Sequence, residues 1–299
     1  MAAPVVLFTY NRPDLTARTL RALTANPLAE QTDLIVFSDA ARRHSDQEGV
    51  DKVRRLFSGL DGFHSVTLIA REENMGLARS ILAGVSAVLE EHGSAIILED
   101  DLETSPHFLA FMNRALEVYA ADERVASVSG YVPPVDGALP ETFFLRDADC
   151  WGWATWRRAW RHFRADGTSL LQELQSRKLT KAFDYHGGYP YLRMLQQQIA
   201  GANNSWAIRW RASVFLQDML TLYPGRSLVR NLGFDGSGTH SDMASFWGGK
   251  LSESPVTVAR QQTMPSAAGF AAFRRFYLRH TGYRLPRRLW RYGRRLLAR

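Results

Sequence analysis

Three acids stand side by side at Glu99-Asp100-Asp101, directly after the apolar run Ala95-Ile96-Ile97-Leu98. A continuous apolar run reads as a strand buried on both faces of a parallel sheet. Ligands of open α/β sheets bind beyond the carboxyl ends of such strands. Three carboxylates crowded at that edge repel one another unless a cation lies between them. Hard oxygen donors of this kind suit magnesium or manganese, ions usually shared with a substrate's phosphates. The competing interpretation is a solvated acidic turn that ends a strand. Further chemistry-bearing residues lie in the second half. Trp151, Trp153, Trp156 and Trp160 fall within ten residues. Indoles bury large areas and suit a core. Helical spacing would also let some face a cleft, where a ring can cover the apolar face of a pyranose. The glycine-rich stretch 231–240 carries Asp235 and His240.

The apolar periodicity of the first half supplies the frame for these groups. Strands are expected over 5–8, 34–37, 66–69 and 95–98. Between them lie helices that start with Asp14 as N-cap, over 45–58, and after Asn74-Met75-Gly76. Strands alternating with helices make βαβ units and a mostly parallel sheet. Right-handed crossovers bring the carboxyl ends of those strands to one edge. Thr9, Asp39, Arg71 and Asp100 should therefore meet there. A helix capped by Ser105, with Pro106 at its first position, should run to about Ala121. A strand over 125–129 follows, and the loop 130–140 is a seam. Helices are expected near 168–184, 189–201 and 203–218, with an extended piece over 220–224.

Composition bounds the class. Of 299 residues, 45% are apolar and 22% charged, the balance of a soluble globular protein. One cysteine, Cys150, excludes an internal disulfide framework and a cysteine-built zinc site, and fits a reducing compartment. The start, Met-Ala-Ala-Pro, enters a strand with no basic leader, and no run of about 18 apolar residues occurs. The formal charge of +7 is uneven: residues 270–299 hold ten arginines and no acid, so residues 1–269 carry 7 − 10 = −3. Such asymmetry points to an anionic partner for the tail. Phe270, Phe273, Phe276, Tyr277, Trp290 and Leu297 interleave with those arginines, as in a helix lying in a membrane interface. Nucleic acid is the competing anion, and the acidic body disfavours it. A helix packed on the domain is the plain alternative.

Taken in order, Phe8-Thr9-Tyr10-Asn11-Arg12-Pro13, the Asn74-Met75-Gly76 turn, Leu98-Glu99-Asp100-Asp101-Leu102, Trp151-Gly152-Trp153, and the stretches 205–210 and 233–240 resemble a GT-A glycosyltransferase of the broad family-2 type. They are also similar to the N-acetylglucosaminyltransferase I group, over roughly residues 4–245. The resemblance implies an α/β, Rossmann-like, mostly parallel sheet with flanking helices. Residues 1–130 would form its nucleotide-sugar half and 131–250 the acceptor half of the same domain, while 251–299, beyond the resemblance, read from their arginines and aromatics as a basic, amphipathic helical tail. It also implies a UDP-linked donor and a divalent cation, Mn or Mg. Thr9, Asn11, Arg12, Asp39 and Arg71 would border the uridine. Asp100 would approach the ribose or donor sugar, and Glu99 sugar hydroxyls or a water. Asp101 would coordinate the metal, and His240 the metal or the diphosphate. A metal there would stabilise the charge that develops on the leaving diphosphate.

Inverting transfer needs a carboxylate to take the acceptor's proton. Relatives often place an acid in the segment that matches Asn204–Ala207, where this chain has none. Asp235 is the favoured base, with Asp149 and Asp184 the other candidates. The enzyme so implied transfers a hexosyl or N-acetylhexosaminyl group to a glycan or lipid-linked acceptor in cell-envelope polysaccharide assembly. It would be cytoplasmic, held on the inner face of the membrane by residues 270–299, with no nucleic-acid partner. A nucleotidyltransferase on a similar sheet is a second candidate, but its lysine-bearing glycine-rich loop is absent after Phe8. A noncatalytic carbohydrate- or membrane-binding protein stays open because of the missing acid near Asn204.

Overall fold

In the computed structural model, which describes residues 2–233 and 247–280, the first half alternates as its periodicity predicts. Strands β1 (Val5–Thr9), β2 (Asp33–Ser38), β3 (Ser65–Ala70) and β4 (Ser94–Glu99) are separated by α1 (Pro13–Thr24), α2 (Gln47–Arg55) and α3 (Leu77–His92). Their mutual pairings are all parallel, with β1 between β2 and β4. Next come β5 (Leu102–Thr104), α4 (Phe108–Val118), β6 (Val125–Ser129), β7 (Thr142–Leu145) and β8 (Trp153–Trp156). The chain continues through α5 (Arg157–Trp160), α6 (Gly167–Ser176), α7 (Thr180–Phe183), α8 (Tyr191–Ile199), α9 (Trp206–Leu216), β9 (Leu220–Pro224) and β10 (Val229–Asn231), and α10 (Ala267–His280) is the last described helix. Eight strands form one sheet in the order β3-β2-β1-β4-β8-β6-β9-β7, and β5 pairs with β10 in a small second sheet. This is the expected α/β class, a large and mostly parallel sheet flanked by helices. The departures from parallel are β8, which lies antiparallel to both β4 and β6, and β7, antiparallel to β9.

The period of two along each strand splits the core into two layers. Val5, Leu7, Val36, Ile96 and Leu98 pack under Leu20, Leu23, Val53, Phe111 and Met112 of α1, α2 and α4. Val6, Phe8, Phe37 and Ile97 pack under Ile81, Val85 and Leu89 of α3 and under Trp206 and Trp210 of α9. Gly84 lets α3 sit close, since a Cβ there would lie 2.9 Å from the rings of Phe8 and Phe37. The far side of α9 buries Ile208 and Phe215 against Leu170, Leu174, Phe183 and Leu195. A helix apolar on all sides is a buried helix, and α9 is covered on both.

Several sequence expectations are corrected. Asp14 does not cap α1: Arg12 is the N-cap and Pro13 the first helical residue, which leaves Asp14 in the first turn, where the helix dipole favours it. Ser105 does not start α4. Its Oγ accepts the His107 N–H (3.2 Å) and donates to the Ser252 carbonyl (2.7 Å), so Ser105–His107 form a turn before Phe108, and the helix stops at Val118. A hydroxyl that bonds local backbone competes with helix formation in this way.

The centre of the tryptophan block, Trp153–Trp156, is strand β8, so helical spacing does not govern it. Trp153 points to one face, with its ring centroid 5.6 Å from Trp206 and 5.9 Å from Trp160. Trp156 points to the other and donates its indole N–H to the Leu116 carbonyl (3.2 Å). Trp153, Trp156 and Trp160 are therefore core, while Trp151 is half-buried. In the tail, Phe273, Phe276 and Tyr277 of α10 are buried, and Phe273 packs edge-on against Phe143 of β7 (6.0 Å). Those aromatics face the domain and not a lipid surface. The arginine-rich residues 281–299 lie outside the described residues. Among the described residues no helix is long and apolar enough to cross a membrane.

Candidate functional site

The parallel strands end together, and the backbone shows it. Phe8 pairs with Glu99 at the ends of β1 and β4. The Asp39 N–H donates to the Thr9 carbonyl (3.0 Å), the Arg71 N–H to the Ser38 carbonyl (2.9 Å), and the Tyr10 N–H to Asp100 Oδ2 (3.3 Å). Thr9, Asp39, Arg71 and Asp100 thus share the edge that the alternation required.

Arg12 organises the acids. As N-cap of α1 it reaches back over the edge, pairing with Asp100 and, at 3.0 Å, with Asp101. The Thr19 hydroxyl, about two turns further along α1, donates to the Asp100 carbonyl (3.0 Å). Asp100 and Asp101 are buried and Glu99 is half-buried. Burial, with the charges of Asp101 and Asp100 adding, pushes Glu99 up to about 8. Burial also pushes Asp100 up to about 6, against the opposing pull of Arg12.

Asp39 has a structural task at this edge. Its Oδ1 accepts the Ala40 and Met75 N–H groups (3.0 and 2.8 Å) and its Oδ2 the Gly76 N–H (2.8 Å). It thereby fixes the Asn74–Gly76 turn at the head of α3, where Gly76 takes φ +70°, a conformation glycine adopts without strain. Asn11 turns to Asp46 (3.3 Å), which also accepts the Tyr10 hydroxyl (2.9 Å). The Arg71 guanidinium lies over Phe37 at 5.1 Å. Thr9 Oγ1 and Arg71 Nε are buried without a partner among the described residues. Buried polar atoms are seldom left unpaired, so the floor of this edge holds two groups suited to a ligand.

The second half reaches the same edge by a route the periodicity does not show. Because β8 is antiparallel to β4, with Ile97 opposite Trp153, the chain entering β8 passes the carboxyl end of β4. Gly152 makes the passage possible. It sits at φ +61°, and a Cβ there would lie 2.6 Å from Val229 Cγ2 and 3.4 Å from Leu98 Cδ2. The Gly130 N–H, just past β6, donates to the Gly152 carbonyl (2.7 Å). Tyr131 and Trp151 then meet edge-on at 4.6 Å. Asp149 accepts the Trp151 N–H (2.9 Å), and burial pushes it up to about 7.

The β5–β10 pairing brings a third segment. The Leu232 N–H donates to the Asp101 carbonyl (2.7 Å), and a Cβ on Gly233 would overlap Asp101 Oδ2. The glycine-rich stretch therefore starts directly against Asp101. Asp235 and His240 lie outside the described residues. Asp184 is occupied elsewhere, accepting the Leu192 N–H (2.7 Å) in the first turn of α8. Ser205 caps α9 by accepting the Ile208 N–H (3.3 Å), so part of the segment Asn204–Ala207 serves as a helix start.

Sequence reasoning missed the role of Arg12 as counterion to the acid pair, the Asp46 tie to Tyr10 and Asn11, and the antiparallel course of β8. For β8 a signal existed: Trp-Ala-Thr-Trp is a short aromatic and β-branched run of the kind enriched in strands. Among the described residues no group of three or more His, Cys, Asp or Glu side chains is arranged to hold a metal ion unaided.

Residues 5–138 match the family described as Glycosyl transferase family 2. No curated protein matches the chain at a significant level. Among solved structures, the mannosyltransferase PcManGT from Pyrobaculum calidifontis, in complex with GDP-Man and Mn2+, is similar at 14% identity and a TM-score of 0.38, over 72% of this chain and 74% of that one. TarS of S. aureus is similar at 14% identity and a TM-score of 0.33, over 48% of this chain, which spans only 25% of TarS. A TarS fragment in complex with UDP gives 15% identity and a TM-score of 0.30, over 48% of this chain and 39% of the fragment.

Proposed function

We propose that this chain is a metal-dependent, inverting glycosyltransferase. It moves a hexosyl or N-acetylhexosaminyl group from a UDP-linked donor to a glycan or lipid-linked acceptor in cell-envelope polysaccharide assembly. The observation that carries this proposal is the edge itself. The acids Glu99, Asp100 and Asp101 share it with Thr9 Oγ1 and Arg71 Nε, which have no partner among the described residues, within the part of the chain that matches the family-2 description.

On the donor side, Thr9, Asn11 and Arg71 border the nucleotide, and Asp39 acts by holding the Asn74–Gly76 turn beneath it. Asp100 and Glu99 face the ribose or donor sugar. The residues also fit a divalent cation. Burial and mutual repulsion raise Glu99, only Arg12 balances the acid pair among the described residues, and the missing side chain of Gly233 leaves Asp101 Oδ2 approachable. Asp101 would hold the ion, and magnesium and manganese sites are commonly shared with a substrate's phosphates. Bound there, it would neutralise charge on the leaving diphosphate. Arg12, which pairs with Asp100 and Asp101 in this structure, carries a planar fork that would suit a phosphate of the donor. The arginines of residues 281–299 serve as the contact with an anionic membrane surface, each basic group contributing roughly 1 kcal/mol.

Calorimetric titration of UDP and GDP, with and without MnCl2, tests the donor site. Binding by the wild type should need the metal, and Asp101→Asn should weaken it by about 100-fold. Equal binding by both proteins, with or without manganese, would remove Asp101 from the site. A thermal-shift screen of nucleotide sugars would then identify the donor, because stabilisation rises with ligand concentration over its dissociation constant.

A further inference from the structure

Asp149 is an acid that the donor side of the site leaves unused. Two residues upstream, Asp147 is pinned by Arg211 and by the Tyr185 hydroxyl, and its carbonyl accepts the Thr221 hydroxyl (2.6 Å). This anchor delivers the next residues to the edge in a fixed pose. Asp147 has a guanidinium for company, whereas no ion pair holds Asp149 among the described residues.

The surroundings of Asp149 are of two kinds. Toward β4 lies the Cys150 thiol, pushed up by burial first and then by the charges of Asp149, Glu99 and Asp147. One sulfur atom therefore lies within electrostatic reach of both Asp149 and the acid triplet. Rings make up the second kind. The Tyr131 and Tyr189 hydroxyls are pushed up chiefly by burial, with the Asp149 charge adding. The half-buried Trp151 packs edge-on against Tyr131 at 4.6 Å and against Trp247 at 5.7 Å, and Trp247 meets Tyr189 at 6.1 Å. The result is an aromatic wall with one carboxylate at its rim, set beside the donor edge.

That combination suits a sugar. Indole and phenol faces cover the apolar C–H face of a pyranose, and a carboxylate accepts its hydroxyl hydrogens. An acid that served only the core would be expected to carry a charged partner, as Asp147 does. Resting on the glycosyltransferase proposal, we propose that Asp149 is the general base of the transfer and that the half-buried Trp151 and Tyr189, backed by the buried Tyr131, form the subsite for the acceptor's pyranose ring. Asp149 takes the proton of the acceptor hydroxyl as that oxygen forms its bond to the anomeric carbon of the donor. The bond from that carbon to the diphosphate oxygen breaks, and the nucleoside diphosphate leaves with the electron pair. Burial assists by keeping Asp149 at about 7, basic enough to accept the proton and still ionised in part at neutral pH.

The test uses the full chain with UDP-glucose, UDP-N-acetylglucosamine and GDP-mannose as donors, and p-nitrophenyl glucoside and N-acetylglucosaminide as acceptor probes. Release of nucleoside diphosphate is followed with and without acceptor, and nucleotide affinity is measured by calorimetry. Asp149→Asn should lower kcat for transfer and for donor hydrolysis by about 100-fold or more, with nucleotide affinity unchanged. Trp151→Ala should raise the acceptor KM about tenfold and leave the donor KM alone, and Trp151→Phe should restore most of the loss. The assignment is overturned if Asp149→Asn keeps its kcat, if it loses nucleotide binding along with kcat, or if Asp235→Asn carries the loss instead. A wild type that binds nucleotide yet turns over none of these donors overturns it as well. A wild type that binds no nucleotide at all refutes the glycosyltransferase proposal itself, a separate outcome.

Discussion

Replacing Arg211 by methionine probes the anchor behind Asp149. Arg211 lies on α9 and is 2% exposed, and its partner Asp147 is 3% exposed. Its Nε donates to Asp147 Oδ1, its Nη1 to the Phe183 carbonyl (3.0 Å), and its guanidinium lies 3.6 Å from the ring centroid of Tyr191. Methionine keeps the apolar stem and removes the charge. Asp147 would then be a buried carboxylate without a cation, and breaking a buried pair in this way costs ~3–5 kcal/mol. The Tyr185 hydroxyl and the Ala148 N–H still donate to that carboxylate, so the lower end, ~3 kcal/mol, is expected. Adding Asp147→Asn removes the uncompensated charge, keeps an oxygen for the Ala148 N–H, and turns an amide N–H toward the Tyr185 hydroxyl oxygen, which can accept it. The double variant should therefore regain ~2 kcal/mol relative to Arg211→Met alone, a coupling that a double-mutant cycle reads directly. Urea denaturation at constant m measures both steps. Because the anchor lies behind the acceptor side, Arg211→Met should also depress transfer while nucleotide binding persists. A single-variant cost below ~1 kcal/mol, or strict additivity in the cycle, would refute the claim that this pair positions the segment.

Other outcomes follow from the same geometry. Gly233→Ala should cut metal-dependent nucleotide affinity about tenfold in calorimetry, because the new methyl group meets Asp101 Oδ2. Gly84→Ala should lower stability by ~1–2 kcal/mol in denaturant titration although alanine favours helix, since its methyl group would press on the rings of Phe8 and Phe37. Without metal, stability should fall as pH rises from about 5 to about 8. Glu99, Asp100 and Asp149 are raised to about 8, about 6 and about 7, so the folded state keeps protons that the unfolded chain has already released. Each such proton gives a slope of up to ~1.4 kcal/mol per pH unit, and a melting temperature that rises with pH across this window would count against it. Truncation after His280 should leave the melting temperature nearly unchanged, since the buried aromatics of α10 are kept, and should abolish co-sedimentation with phosphatidylglycerol vesicles. Binding that persists after truncation would locate the membrane contact elsewhere.

The sequence by itself determined the parallel half and the placing of its strand ends. Val5–Thr9, Asp33–Ser38, Ser65–Ala70 and Ser94–Glu99 announce themselves by apolar runs between amphipathic helices. Crossover handedness, a local chiral preference, then carries Thr9, Asp39, Arg71 and Asp100 to one edge with no long-range information. The acid triplet was legible for the same reason, as were Cys150 and the charge of the tail. Only the tertiary structure decided what joins that edge from the second half. Antiparallel insertion of β8 between β4 and β6, and of β10 beside β5, depends on pairings between residues far apart in the chain. Periodicity registers which residues are apolar; it does not register direction or partner. That is why the tryptophans divided into core and rim only in three dimensions, and why Asp39 emerged as the support of a turn. It is also why the three acids acquired Arg12 as a counterion and Asp149 as a neighbour across the edge.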